Sequence, residues 1–253
     1  MKHFLVIYMI LLFSLPVFAA YEPAVTLYHP NYFIAGGRDD QAKFQISVKY
    51  NLIYPERIGL FAAYTQRAWW YIYDSSKPFH EFNHEPEFFY RLESGNNIFG
   101  LDMGVIDYIQ LSPIFHRSNG KDGEYSRGMN LWYGEIQISG GNPIAFGLRA
   151  KGFGYYSKSS RNEDIDKYIG HYEGEVFVQV KSSMKYLNRE RIYCRFGSGN
   201  DFEKGWMEAG LRVRILTDRI QPYVFAQVWH GYGEQMVDYD IKETRVRAGI
   251  SYE

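Results

Sequence analysis

His116, Ser118 and Asn130 are the residues whose types and spacing could do chemistry together. His116 and Ser118 stand two apart at the end of an alternating run, so on a strand they project from one face. The run from His116 to Asn130 then crosses a short loop rich in Gly and charged residues and enters another alternating segment, the outline of a hairpin. A hairpin can set Asn130 beside the pair. A hydroxyl, a base to take its proton and a group to orient that base are the parts of an activated nucleophile. A His-x-Ser pair alone is weak evidence, because a loop histidine beside a serine is common.

The elements that must position these residues read as strands. Phe44, Ile46, Val48 and Tyr50 alternate with Gln45, Ser47 and Lys49; Ile144, Phe146 and Leu148 alternate with Gly147, Arg149 and Lys151. The pattern continues through Tyr172–Lys181, Arg191–Phe196, Glu208–Ile215 and Arg245–Tyr252, with turn signals such as Ser139-Gly-Gly-Asn-Pro143 and Ser198-Gly-Asn200 between runs. Ten to twelve such segments can be counted. Residues 21–40, with Pro23, Pro30 and Gly36-Gly37, read as an N-terminal arm or plug, and 155–166 as an exposed loop.

A soluble sandwich and a membrane barrel both give period-2 amphipathicity. Three features favour the barrel. Residues 1–19 have a basic start, a short apolar core and small residues at Ala19-Ala20, the parts of a secretory signal cleaved after one of these alanines, leaving a barrel domain over 20–253. Aromatics make up 18% of the chain, which suits belts at two membrane interfaces. The polar faces carry both charge signs, so Glu135, Glu173, Glu175 and Glu208 could neutralise Arg149, Arg191, Arg195, Arg212, Arg214, Arg245 and Arg247 inside a lumen. The fold expected is all-β, a transmembrane antiparallel up-and-down barrel. A single cysteine, Cys194, allows no internal disulfide, and a net charge of -1 gives no global basic character for nucleic acid.

In that barrel Ile114, His116 and Ser118 share one face of their strand, while Asn130, Trp132, Ile136 and Ile138 share one face of the next. The Ile and Trp side chains mark the lipid side, so the candidate nucleophile points outward. Gln66 is a second oddity, sitting among the apolar positions Leu60, Ala62, Tyr64, Ala68, Trp70 and Ile72. Either a local bulge turns it to the lumen or it bonds across a subunit contact.

The stretch His116-x-Ser118-Asn119-Gly120 with Ser126 and Asn130 resembles the active-site segment of the outer membrane phospholipase A family. Further matches run in order along the chain: Leu27-Tyr28 with Asn31-Tyr32; Lys43-Phe-Gln45; Tyr64-Thr-Gln66; Pro78-Phe79 with Glu81, Asn83 and Glu85-Pro86; Lys167-Tyr168 with Gly170 and Tyr172; Gly231-Tyr-Gly-Glu234 with Asp238-Tyr239; and Thr244-Arg-Val246. The resemblance implies twelve strands, an outer-leaflet site on the lipid-facing surface, and Ser118 as nucleophile, His116 as base and Asn130 as the orienting group. It also implies Ca2+ held by the Ser126 hydroxyl, the Lys121 carbonyl and Ser76 of a second subunit, with Gln66 in the dimer contact. The implied activity is hydrolysis of sn-1 and sn-2 acyl esters of membrane phospholipids and lysophospholipids, switched on when outer membrane monomers dimerise. The sequence departs from the family at Gly123 and Arg161, where acidic residues are usual, and in ending Ser251-Tyr-Glu253 in place of a terminal aromatic. A passive structural or pore-forming barrel is the alternative.

Overall fold

The computed structural model describes residues 24–38, 40–53, 58–93, 105–180, 190–200, 202–215 and 222–253. The export signal expected at 1–19 lies outside the described residues. The strands are β1 (Val25–Leu27), β2 (Asn31–Ala35), β3 (Ala42–Ile53), β4 (Gly59–Trp70), β5 (Phe79–Glu93), β6 (Ile106–Ser118), β7 (Gly128–Gly140), β8 (Ile144–Lys158), β9 (Tyr172–Val180), β10 (Arg191–Ser198), β11 (Gly205–Arg214), β12 (Tyr223–Gly231) and β13 (Glu243–Tyr252). From β2 onward each strand pairs antiparallel with the next, β13 returns to β2, and β1 pairs with β3. β1 and β2 lie along the same edge of β3 and form one interrupted stave, so the described strands close a ring of twelve. Closure leaves no backbone edge for hydrocarbon to solvate.

The alternation in sequence becomes an inverted arrangement, apolar outside and polar inside. Ile46, Phe88, Ile114, Trp132, Phe146, Leu148, Ile192 and Val246 are exposed, whereas Ser47, Thr65, Glu85, Glu87, Gln110 and Arg247 are buried. Arg149 bridges Glu135 at 3.4 Å and Glu175 at 2.9 Å; Arg191 also pairs with Glu175, and Arg195 reaches Glu173, Glu175 and Glu208 at 3.5, 3.6 and 3.7 Å. The remaining expected partnerships differ. Arg247 pairs with Glu234 at 2.5 Å and Asp40 at 2.9 Å, Arg245 with Asp40 and Glu243, and Arg212 with the side chain of Glu253. Arg214 has no ion pair among the described residues. Connections that fold into the barrel's end bring Asp40 and Glu234 to Arg247, while Arg245 has Glu243 of its own strand closer than Asp40. The pairs of Arg149, Arg191 and Arg195 run from strand to neighbouring strand around the inner wall and line a polar cavity of about 400 Å³.

Two expectations are corrected. Residues 21–40 are not an arm, because from Val25 the chain is barrel wall. The Leu27↔Val48 and Tyr32↔Gln45 registers differ by two residues, and the surplus at Tyr28–Pro30 bulges inward. There Tyr28 stacks on Phe89, centroids 5.0 Å apart, and accepts a hydrogen bond from Gln110 at 2.7 Å. Pro30 fits because a bulge needs no N–H from it. Likewise β8 runs to Lys158, past the predicted loop start, and residues 159–171 fold back as a cap containing helix α1 (Asp166–Ile169). Ile165 and Ile169 from this cap, with Met236 and Tyr239 from the β12–β13 connection, pack on Phe115, Met129, Leu131, Tyr133 and Phe153 to close one end of the lumen. That same end carries the β4–β5 and β6–β7 connections.

Candidate active site

β6 changes face midway. Leu111 is exposed and Ser112 buried, but beyond Pro113 it is Ile114 that is exposed and Phe115 that is buried. The pairing with β7 slips one residue between Ser112 and Phe115, and the pairing with β5 slips between Phe88 and Tyr90. This is a β-bulge at Pro113, which has no N–H to leave unpaired. The Ser112 hydroxyl donates to the Phe88 carbonyl at 2.9 Å, with the Ile114 carbonyl at 3.2 Å, and the Tyr156 hydroxyl donates to the Pro113 carbonyl at 3.1 Å. Outward positions thereby shift from odd to even numbers, and His116 and Ser118 face lipid. A regular strand continued from Leu111 would turn both into the lumen.

β7 supplies the next member. Asn130 lies directly opposite His116, and Ser157 of β8 lies opposite Asn130. His116 Nδ1–H donates to Asn130 Oδ1 at 2.8 Å, while Asn130 Nδ2 donates to Ser157 Oγ at 2.9 Å. Anchoring the amide nitrogen fixes which end of the amide meets the imidazole, and so which imidazole nitrogen keeps a lone pair: Nε2. Ser118 sits two residues along the same face, half-buried. Its hydroxyl makes no hydrogen bond among the described residues. Such a contact in a free enzyme is commonly long and tightens with substrate.

The 119–127 connection is clamped by Asn119, which is buried. Its Nδ2 donates to the Tyr125 carbonyl at 2.8 Å, and its Oδ1 accepts from the N–H groups of Arg127 at 3.0 Å and Lys121 at 3.3 Å. Lys121 Nζ donates to the His80 carbonyl at 2.5 Å, and His80 Nε2 lies 2.7 Å from Asp238 Oδ2. The loop is thus tied to β5 and through it to the β12–β13 connection. The Ser126 hydroxyl has no partner among the described residues. Among the described residues no three His, Cys, Asp or Glu side chains cluster as a metal site; the loop's oxygen donors are the Ser126 hydroxyl, backbone carbonyls and the carboxylates of Asp122 and Glu124. Ser76 is exposed on the β4–β5 connection, and the structure records no contact from it to Lys121 or Ser126.

Gln66 is half-buried on β4, opposite Ile46 and His84 in an uninterrupted register. No bulge turns it inward, so an amide faces the lipid side. Tyr64, His84 and Ser157 share that side and were not singled out by sequence. Placing His84 requires the parity of β5, where it follows Phe82 and precedes Phe88 on the outer face.

A family model described as Phospholipase A1 matches residues 6–252. The chain belongs to the phospholipase A1 family. A Phospholipase A1 of Proteus vulgaris is 31% identical over 220 residues, covering 83% of this chain and 69% of that protein. One from Escherichia coli K12 is 30% identical over 218 residues, covering 84% and 70%. The structure of outer membrane phospholipase A from Escherichia coli matches with a TM-score of 0.74 at 25% identity, over 90% of this chain and 94% of that one. A Salmonella typhi outer membrane phospholipase dimer with bound calcium matches with a TM-score of 0.74 at 25% identity, over 90% and 92%. Family and fold make this an outer membrane phospholipase on a twelve-stranded barrel. In this phospholipase Gly123 has φ +63°, a left-handed conformation, and a Cβ there would meet nothing within 4 Å. Arg161 is exposed, and nearby Asp164 accepts the Tyr239 hydroxyl at 2.5 Å.

Proposed function

We propose that the chain hydrolyses the sn-1 and sn-2 acyl esters of glycerophospholipids, and lysophospholipids, at the outer leaflet, with Ser118 as nucleophile, His116 as general base and Asn130 as the group that orients the imidazole. The observation that carries this reading is the 2.8 Å His116–Asn130 hydrogen bond on the lipid-facing wall, with Ser118 on the same face. As Ser118 Oγ attacks the ester carbonyl, its proton passes to His116 Nε2. That proton then goes to the departing alcohol oxygen, and water activated by the same nitrogen releases the fatty acid from the acyl-serine. Asn130 holds the tautomer but adds no negative charge, so it stabilises the imidazolium less than an aspartate would.

Ca2+ is the cofactor this reading requires, held by the Ser126 hydroxyl, the Lys121 carbonyl and Ser76 of a second copy, where it supplies positive charge for the developing oxyanion. The unpartnered Ser126 hydroxyl supports this donor set. Gln66 on the lipid-facing wall supports a homodimer, because an amide there gains most by bonding to another copy. The cap and the β12–β13 connection packed over one end of the lumen count against the pore alternative.

Fatty-acid release by detergent-solubilised protein, with calcium and with chelator, beside Ser118→Ala, tests the site. Equal release by both proteins rejects Ser118. Gln66→Ala is expected to weaken calcium-dependent cross-linking between copies, and unchanged cross-linking rejects the contact.

A further inference from the structure

The lipid-facing wall holds a second imidazole that Ser118, His116 and Asn130 do not use. His84 pairs directly across from Ser118, which places their Cα atoms about 5 Å apart. Tyr64 of the neighbouring strand holds its ring, with the phenol oxygen 2.7 Å from Nδ1 and ring centroids 6.3 Å apart at 30°. The phenol has no other partner among the described residues. A phenol O–H is a stronger donor than an imidazole N–H, and an imidazole nitrogen a stronger acceptor than a phenol oxygen. The phenol O–H therefore donates to Nδ1, and Nε2 carries the ring proton. That N–H has no acceptor among the described residues.

The Cδ2–Nε2 edge is turned toward the 119–127 loop, since a Cβ built on Gly120 would stand 3.5 Å from each of those atoms. This is the side of Ser118 away from the membrane interior. In a glycerophospholipid whose ester lies at Ser118, the phosphodiester lies on that side too. The cations of the loop spend hydrogen bonds elsewhere, Lys121 on the His80 carbonyl and Arg127 on the Glu124 and Ser126 carbonyls at 2.7 and 3.1 Å. We propose that His84 is a specificity-determining residue whose Nε2–H donates to a non-bridging phosphate oxygen of the substrate, with Tyr64 as the positioning residue that fixes its tautomer. The proposal deepens the function above and rests on Ser118 marking the ester.

The test uses two non-hydrolysable inhibitors competing with phosphatidylcholine in mixed micelles with calcium: a dialkyl-ether phosphatidylcholine, and the matching dialkyl glycerol without phosphate. His84→Phe is expected to raise the inhibition constant of the first about tenfold, the scale of a hydrogen bond to a charged acceptor, and that of the second less than twofold. His84→Gln, which keeps an N–H donor, is expected to restore most of the difference. An unchanged constant for the ether phospholipid, or an equal rise for both inhibitors, overturns the assignment. Ser118→Ala separates the two readings. If it is inactive while His84→Phe fails to discriminate, His84 alone is wrong; if it stays active, the serine assignment falls and takes the pose with it.

Discussion

Replacing Ser157 tests whether the amide of Asn130 works through its orientation. Ser157 Oγ accepts from Asn130 Nδ2 at 2.9 Å, and that one hydrogen bond distinguishes the two ends of the amide, which are otherwise nearly the same shape. In Ser157→Ala the amide can turn over and offer N–H to His116 Nδ1, which selects the tautomer with its proton on Nε2, and that form cannot take the serine proton. A neutral hydrogen bond contributes about 1 kcal/mol net, so the working orientation should lose roughly fivefold in relative population. Because Ser157 does not reach substrate in this scheme, kcat for micellar phospholipid should fall with the working fraction, by at most about that factor, with KM unchanged. The assay is fatty-acid release at saturating calcium, carried out as a double-mutant cycle with Asn130→Ala. With no amide to orient, Ser157→Ala should cost nothing further in the Asn130→Ala background. Additive losses in that background, or a wild-type kcat for Ser157→Ala alone, refute the reasoning.

Three further outcomes follow from other parts of the molecule. Gly123→Asp adds a carboxylate where the left-handed backbone suits Asp better than most residues and the space is open, so the calcium giving half-maximal fatty-acid release should fall several-fold. Glu175→Ala strips a shared partner from Arg149, Arg191 and Arg195 inside the barrel, and denaturant unfolding in detergent should show a loss of about 3–5 kcal/mol. In the cap, burial raises the Asp166 carboxyl, but Lys158 at 2.5 Å and Asn200 at 2.9 Å outweigh it and hold the group below its ordinary value. A depressed carboxyl stabilises the fold above the unfolded value, about 3.9, and that contribution is lost as pH falls through the lower folded value. Limited proteolysis of 159–171 should therefore accelerate across that acid window, and Asp166→Asn should flatten the response.

The barrel was legible because its strands repeat one pattern, and the outward aim of His116 and Ser118 was legible because Ile114 shares their parity. The bulge that makes this aim possible was not. Alternation within 114–118 is regular, and only comparison with Leu111 across Pro113 exposes the change of face. Tyr28–Pro30 escaped for a related reason: two prolines within eight residues look like a break in structure, whereas a barrel accepts Pro30 in an inward bulge. Tyr64, His84 and Ser157 lie on three different strands, so their convergence depends on register, which no single segment encodes. The partners of Arg247 were misassigned because Asp40 and Glu234 come from connections and follow no strand period, while Arg245 takes Glu243, two residues back on its own strand.

The polar side chains on the outer wall also bear on the lipid around them. Tyr64, Gln66, His84, His116, Asn130 and Ser157 interrupt a belt that is otherwise Ile, Leu, Val and aromatic. Hydrocarbon solvates such groups poorly, and a bilayer accommodates them by drawing water and headgroups down the protein wall and thinning locally. The leaflet beside β4–β8 should therefore be dented, with nearby lipids tilted and their glycerol region sunk to the level of Ser118. A second copy covering the same strip would relieve the dent, which gives the monomer a lipid-mediated reason to associate wherever the membrane resists deformation.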